Sequence, residues 1–363
     1  MLLEKSRMVL LRTCAVLFTV LLFAPLTGLA QQNAPQQKPP QPRKLSDAEK
    51  KEIQVVVKIT DDIVAGQPAP NDLSLTWLRE DILKALGNKE YVPFSVSIDP
   101  TKISTPTVSL YWRVVSKDAA AAAPAGGKKD EKKKDGKSDY PWEELGSVTI
   151  PPGQKDPLRI SRSFMVGPGN YDLIVVAKEP VPEKAPKNAP PQKTSAIKQS
   201  ITVPDLWNDQ LATSTVIVAE RIDDLNEPLT PKQQSERPYA MGSMEIIPVI
   251  NTKFKKTAEL QTFVLIYNAK THPDGKPDVL VEYSFYTKQG GAEKFFNKTN
   301  PQNLNAQTLP PQFDLASGYQ LQSGQAVPLA SFPEGDYRLE IKITDKVGNK
   351  SLTRDVNFSV SGS

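Results

Sequence analysis

Few side chains in this sequence are of the types that chemistry requires. His272 is the single histidine and Cys14 the single cysteine. A hydrolytic triad needs a nucleophile and an orienting group around its base, and a zinc site needs several histidine or cysteine ligands. His272-Pro273-Asp274-Gly275 marks neither and reads as an exposed hairpin turn. The acidic pairs Asp61-Asp62 and Asp223-Asp224 invite a calcium or glycosidase reading. Neighbours on a strand point to opposite faces, so neither pair converges on an ion by itself. Glycoside hydrolysis needs two carboxylates set across a cleft, a relation that linear sequence does not show. Calcium in a loop near Asp345, Gly348 and Asn349 competes with a plain tight turn over the same residues. The expectation is no catalytic residue, no metal ligand and no cofactor.

Aromatic side chains are the remaining route to a ligand. Tyr111, Tyr140, Trp142, Tyr286, Phe295 and Phe296 fall off the expected core faces or near loops. A polysaccharide platform needs such rings coplanar on one surface; the alternative is packing at core edges. Lys128–Lys137 is a lysine-rich run without interleaved aromatics, which reads as a solvated loop and not as a nucleic-acid surface. The sequence contains no glycine-rich phosphate loop and no nucleophile elbow.

The elements that would position these residues are strands. In Phe332–Val360, Tyr337, Leu339, Ile341 and Ile343 alternate with polar residues, and Val356, Phe358 and Val360 alternate after a turn at Lys346–Lys350. That is a hairpin with one buried face. Gly169-Asn170-Tyr171-Asp172-Leu173 echoes Gly335-Asp336-Tyr337-Arg338-Leu339 in spacing. Both place a turn glycine before a strand-starting tyrosine whose hydroxyl can reach corner backbone.

Seven strands are expected in a first domain: Ile53–Ile59, Val92–Ile98, Val108–Val115, Leu145–Ile150, Leu158–Val166, Tyr171–Ala177 and Ile197–Val203. Trp112 is expected in their core. Leu75–Leu86 carries apolar residues at helical spacing before Gly87-Asn88, which predicts one accessory helix. A second set of strands is Met244–Val249, Glu259–Ala269, Val279–Lys288, Tyr319–Leu321, Ala326–Leu329, Tyr337–Asp345 and Leu352–Val360. The fold class that follows is all-β, two tandem immunoglobulin-like or fibronectin-like sandwiches. The expected boundaries are a first domain over 51–204, with disordered insertions at 117–139 and 179–194. A linker follows over 205–242, in which Thr213–Ala219 can form a strand, and a second domain over 243–363.

The amino-terminal thirty residues read as a cleaved signal peptide: Lys5, Arg7 and Arg12, then apolar Val16–Ala24, then Thr27-Gly28-Leu29-Ala30. A proline- and glutamine-rich spacer over 31–50 follows. Removing residues 1–30 takes away three basic side chains and one acidic one, so formal charge falls from +4 to +2. A nearly neutral chain gives no global electrostatic case for nucleic acid. It also carries no cysteine, so core burial must replace disulfides. The expected location is periplasmic or extracellular, with membrane contact only through the signal peptide.

Three stretches, Tyr91–Pro100 (YVPFSVSIDP), Pro238–Asn251 (PYAMGSMEIIPVIN) and Phe332–Lys346 (FPEGDYRLEIKITDK), resemble secreted proteins of Acidobacteria-type bacteria. In that group GWxTD or VWFA-related regions occur beside β-sandwich segments. The chain has neither a GWxTD string nor a DxSxS metal-site motif, so adhesion chemistry is not carried over. The resemblance implies export and an envelope role. Three functions follow as expectations: a non-enzymatic module binding an envelope or extracellular protein, a polysaccharide-binding module, or a hydrolase with an acidic interdomain cleft.

Overall fold

A computed structural model describes residues 47–118, 140–181 and 191–362. The expected signal peptide, most of the spacer and most of both insertions lie outside these residues.

The described chain begins with helix α1 (Asp47–Val64). This corrects the strand expected at Ile53–Ile59. Its apolar run fits period two locally, but Val56, Thr60 and Ile63 are the positions that bury, at a helical spacing. The Thr60 hydroxyl donates to the Val56 carbonyl at 2.9 Å, one turn back. β-Branched residues are weak helix formers, so tertiary cover decides. Val56 and Ile63 rest on Tyr111, Ile174, Val176 and Ala196, the outer face of a sheet.

The first domain continues with β1 (Thr76–Glu80), β2 (Leu83–Lys84), β3 (Glu90–Ile98), β4 (Thr107–Ser116), β5 (Trp142–Thr149), β6 (Leu158–Val166), β7 (Gly169–Lys178) and β8 (Thr194–Val203). One sheet has β1 and β2 along one edge of β3 and β6 along the other; the facing sheet runs β5–β4–β7–β8. Phe94, Trp112, Phe164 and Leu173 lie in the core between them. The accessory helix expected at Leu75–Leu86 is instead this split edge strand. Its residues pair with β3 from Thr76 opposite Ser97 to Glu80 opposite Phe94, and Trp77 stacks on Phe94 at 5.5 Å. Leu86, counted in the helical stripe, is 89% exposed at a hairpin tip. The expected disorder of 179–194 does not hold at its ends. Glu179 is buried, and its amide donates to the Lys193 carbonyl at 3.0 Å.

The second domain comprises β9 (Ala212–Thr213), β10 (Ile217–Asp224), α2 (Pro231–Glu236), β11 (Ala240–Met241), β12 (Met244–Pro248), β13 (Lys253–Lys255), β14 (Glu259–Tyr267), β15 (Val279–Gln289), β16 (Ala292–Lys298), β17 (Gln302–Leu304), β18 (Leu321–Pro328), β19 (Gly335–Asp345) and β20 (Lys350–Ser361). Its sheets are β11–β12–β10–β14–β18, with β9 beside β14, and β13–β20–β19–β15, with β16 and β17 beside β15. The expected linker over 205–242 therefore holds β10, which pairs with both β12 and β14. Tyr319–Leu321 and Ala326–Leu329 merge into the one strand β18. Gly324 hid it, because its pairing is so close that a Cβ would lie 2.6 Å from the Thr262 carbonyl oxygen.

Both domains share one strand arrangement. β10 and β9 flank β14 opposite β18, as β1 and β2 flank β3 opposite β6. The order β16–β15–β19–β20 repeats β5–β4–β7–β8. The described residues are all-β, built of sheets that are antiparallel except where β13 meets β20 in parallel, facing across shared cores, with one long helix outside.

Candidate functional site

Between the domains lies a buried polar cluster that no motif announced. Where β1 ends, the Asp81 amide donates to the Pro93 carbonyl at 2.9 Å, which turns the side chain inward. Asp81 is 0% exposed. Arg79 grips it with two bonds of 2.8 and 2.7 Å, and the Tyr239 hydroxyl, from the second domain, donates to Oδ2 at 2.7 Å. Arg79 also donates to the Val249 carbonyl at 3.3 Å. Burial lifts the Asp81 carboxyl above the ordinary aspartate range, while Arg79 and Tyr239 pull the other way. Burial, reinforced by Asp81, holds the Tyr239 hydroxyl well above a free tyrosine. Both carboxylate oxygens are engaged, so the geometry orients domains and leaves no free base.

Around this cluster the domains share an apolar core of Leu83, Leu206, Ile217, Phe263, Leu265 and Tyr267. Ile82 and Thr215 bond reciprocally: the Ile82 amide donates to Thr215 Oγ1 at 2.8 Å, and the Thr215 amide to the Ile82 carbonyl at 3.0 Å. The Tyr91 hydroxyl reaches the Pro238 carbonyl at 3.0 Å, and Arg159 the Pro248 carbonyl at 2.7 Å. Two shallow grooves of about 480 and 370 Å³ lie along this junction, both bordered by Arg159 and Glu220. Glu220 faces Arg159 and Arg221 at 3.6 Å each, and Glu245 is bound by Arg237. An acidic hydrolytic cleft would need such carboxylates turned toward a substrate.

The six surface aromatics do not assemble. Tyr111 corrects the expectation of exposure: it is 2% exposed beneath α1. Its hydroxyl donates to Glu143, and burial with that carboxylate drives it far above the tyrosine range. Tyr140 covers the same cluster, with the Arg113 guanidinium 3.9 Å from its ring centre. Arg113 binds Asp61 at 2.7 Å and Glu143 at 2.9 Å, which fastens α1 to its sheet. Trp142 is half-buried against the first core. Phe296 packs on Phe332 and Tyr337 at 4.9 and 5.6 Å. Only Phe295 stands out, 53% exposed, and it meets half-buried Tyr286 edge-on at 81°. Arg338 lies over Tyr286 at 4.5 Å and binds Glu293, Glu340 and Asp355. A coplanar row of rings is not formed.

His272 is an exposed turn residue, its amide donating to the Lys276 carbonyl at 2.8 Å. Asp61 and Asp62 sit on α1 rather than on a strand, and they diverge to Arg113 and Lys58. The two oxygens of Asp345 accept the Gly348 and Lys270 amides, each at 2.9 Å, which ties the turn to the neighbouring loop. Among the described residues no group of three or more His, Cys, Asp or Glu is placed to hold a metal. Among them no helix is long and apolar enough to cross a membrane. The junction residues escaped sequence reading because Arg79 and Asp81 lay inside a supposed helix. The one available signal was a charged Arg-Glu-Asp triplet interrupting an apolar run.

No protein-family model matches this sequence. No curated protein matches it either. Among solved structures, Salmonella alpha-2-macroglobulin reacted with methylamine is 13% identical, covering 80% of this chain and 17% of its own, with TM-score 0.20. Trypsin-activated alpha-2-macroglobulin from Escherichia coli is 12% identical over 82% of this chain and 17% of its own, with TM-score 0.22. The native Escherichia coli protein gives 12%, 81% and 16%, with TM-score 0.19. This chain thus spans 16–17% of the length of these three, and a likeness with such scores carries no functional argument.

Proposed function

We propose that the chain is a non-enzymatic, exported module that binds a protein partner at the cell envelope. In this reading it is a related pair of immunoglobulin-like or fibronectin-like sandwiches held as one rigid body. The observation that carries it is the junction. Arg79, Asp81 and Tyr239 lock the domains through a buried network, and two of the glutamates that border the grooves, Glu220 and Glu245, face arginines. A rigid pair keeps its outer surfaces at fixed spacing, which lowers the ordering cost of binding a partner. The repeated strand order supports the relation between the sandwiches. Export and envelope location rest on the leader pattern and on the resemblance of the three stretches noted in the sequence. The surface aromatics favour protein over polysaccharide, since stacking on sugar rings needs coplanar rings.

The test places a photo-cross-linking amino acid at Phe295, Leu86 and Leu145 in the native cell, followed by fractionation. The expected result is an envelope-fraction adduct of defined mass at one position and not at the others. Retention in the cytoplasm, or hydrolysis of a polysaccharide or peptide substrate by the purified chain, overturns the reading.

A further inference from the structure

Among the described residues the second domain leaves sheet edge open at β16 and, before the three residues that β13 covers, at β20; the β16 edge carries an exposed aromatic ring between charged residues. β16 bonds β15 from Ser284 opposite Lys298 to Gln289 opposite Ala292, and among the described residues no strand pairs with its far side. The two strands turn through Gly290 and Gly291, both at positive φ (57° and 82°), as a two-residue hairpin demands. Further along the same side, the edge is closed. The Gln302 side chain of β17 donates to the Gly324 carbonyl of β18 at 2.7 Å. β5 holds the matching edge in the first domain, but Arg162 reaches its Ser147 carbonyl at 3.4 Å. The outer edge of β8 meets chain at Asn71, which bridges Ser195. β11 and β13 are two and three residues long.

The chemistry along β16 is basic and apolar. Glu293 is held by Arg338 and Lys288, whereas no ion pair engages the exposed side chains of Lys294 and Lys298 among the described residues. Phe295 and Lys298 share the outer face with Tyr286 and Ser284, whereas Lys294, opposite Thr287, lies on the other face, because the register shifts at Phe296. Lysines on an edge are a standard guard against pairing of like strands. Two copies of β16 joined antiparallel with Phe295 opposite Phe295 bring no lysines face to face. Slipping one strand by two residues either way sets Lys294 against Lys294 or against Lys298, and like charges directly opposite are destabilising. A strand carrying carboxylates meets the same lysines as partners.

We propose that β16 accepts an extended acidic segment of a partner protein by strand addition, with an apolar side chain of that segment on Phe295 and carboxylates beside Lys294 and Lys298. This rests on the protein-interaction reading and narrows it to one edge and one partner chemistry.

The probe is a labelled, end-blocked heptapeptide, Glu-Glu-Val-Phe-Glu-Val-Glu, whose glutamates fall on both faces of an extended strand, titrated into the full chain by fluorescence anisotropy. Hydrogen exchange locates it. The expected result is protection of the Ala292–Lys298 amides and an affinity that falls with salt. The doubly substituted K294E/K298E chain, checked for an unchanged melting temperature, should bind about tenfold more weakly. A version of the peptide with proline at its centre lacks an edge donor and should not bind. Absence of binding at millimolar peptide, equal binding of a lysine-for-glutamate peptide, protection elsewhere, or dimerisation of the free chain through β16 each overturns the proposal. If the peptide fails while a photo-cross-link elsewhere captures an envelope protein, the strand-addition proposal falls and the broader reading stands. If both fail, both fall.

Discussion

Tyr171 and Tyr337 make the same bond in different domains. Each hydroxyl donates to the carbonyl four residues upstream, Gly167 at 3.0 Å and Pro333 at 2.6 Å. Each follows a glycine two residues earlier, at φ 152° for Gly169 and 147° for Gly335, values that residues with a Cβ rarely adopt. Each lies on the strand next to the last of its four-strand order.

If these corners are equivalent, removing the two hydroxyls should weaken both domains alike. Tyr171→Phe and Tyr337→Phe should each cost about 0.5–1.5 kcal/mol, a single hydrogen bond's net worth. Because the residues occupy separate cores, the double variant should show the sum to within about 0.5 kcal/mol. Urea unfolding of the four chains checks this.

The junction should govern cooperativity. Asp81→Ala leaves the Arg79 guanidinium, itself mostly buried, without its carboxylate, and removing one partner of a buried pair costs about 3–5 kcal/mol. Calorimetry should turn one transition into two as the domains uncouple. Tyr239→Phe removes only one donor and should lower the melting temperature without splitting the transition.

Glu179 should contribute to acid sensitivity. Burial opposes its charge, but the Ser104 amide and hydroxyl and the Lys193 amide outweigh burial and hold its pKa below the ordinary glutamate value. A carboxyl depressed in the folded state adds stability above its unfolded pKa of about 4.3, and that stability is lost as pH falls through the folded value. Glu179→Gln should flatten the stability curve in that acidic window. An unchanged acid limb in pH-dependent urea melts would count against this.

Close backbone approach predicts two intolerant glycines. A Cβ at Gly324 would lie 2.6 Å from the Thr262 carbonyl oxygen, and one at Gly348 would lie 2.4 Å from Asp345 Oδ2. Gly324→Ala and Gly348→Ala should each destabilise by about 1–3 kcal/mol. Gly66→Ala is a control with no neighbour within 4 Å of the added Cβ, though its φ of 91° carries strain of its own.

Strand alternation was the legible part of the fold. Tyr337, Leu339, Ile341 and Ile343 are all buried, as their pattern requires, and Trp112 is in the first core. Alternation failed where one apolar run satisfies two periods. Val55-Val56-Val57 fits strand and helix alike, and only the sheet face beneath α1 decides. It also failed for β16, where Phe296 packs on the core but a register shift at that residue breaks the alternation. The junction was illegible for another reason. Arg79 and Tyr239 are 160 residues apart, and their meeting depends on how two domains dock, which periodicity does not encode.

The segment joining the domains is stitched down along its length. The Leu206 amide donates to Glu90 Oε1, Trp207 Nε1 to the Lys89 carbonyl, and the Asn268 amide group to the Leu206 and Gln210 carbonyls. Cutting the chain there would strip cover from Leu83, Ile217, Phe263 and Leu265 at once, leaving each half with an adhesive wet face. Each half expressed alone should therefore lose stability and associate through that face. Any rearrangement that carried this architecture to another protein would have to carry the pair.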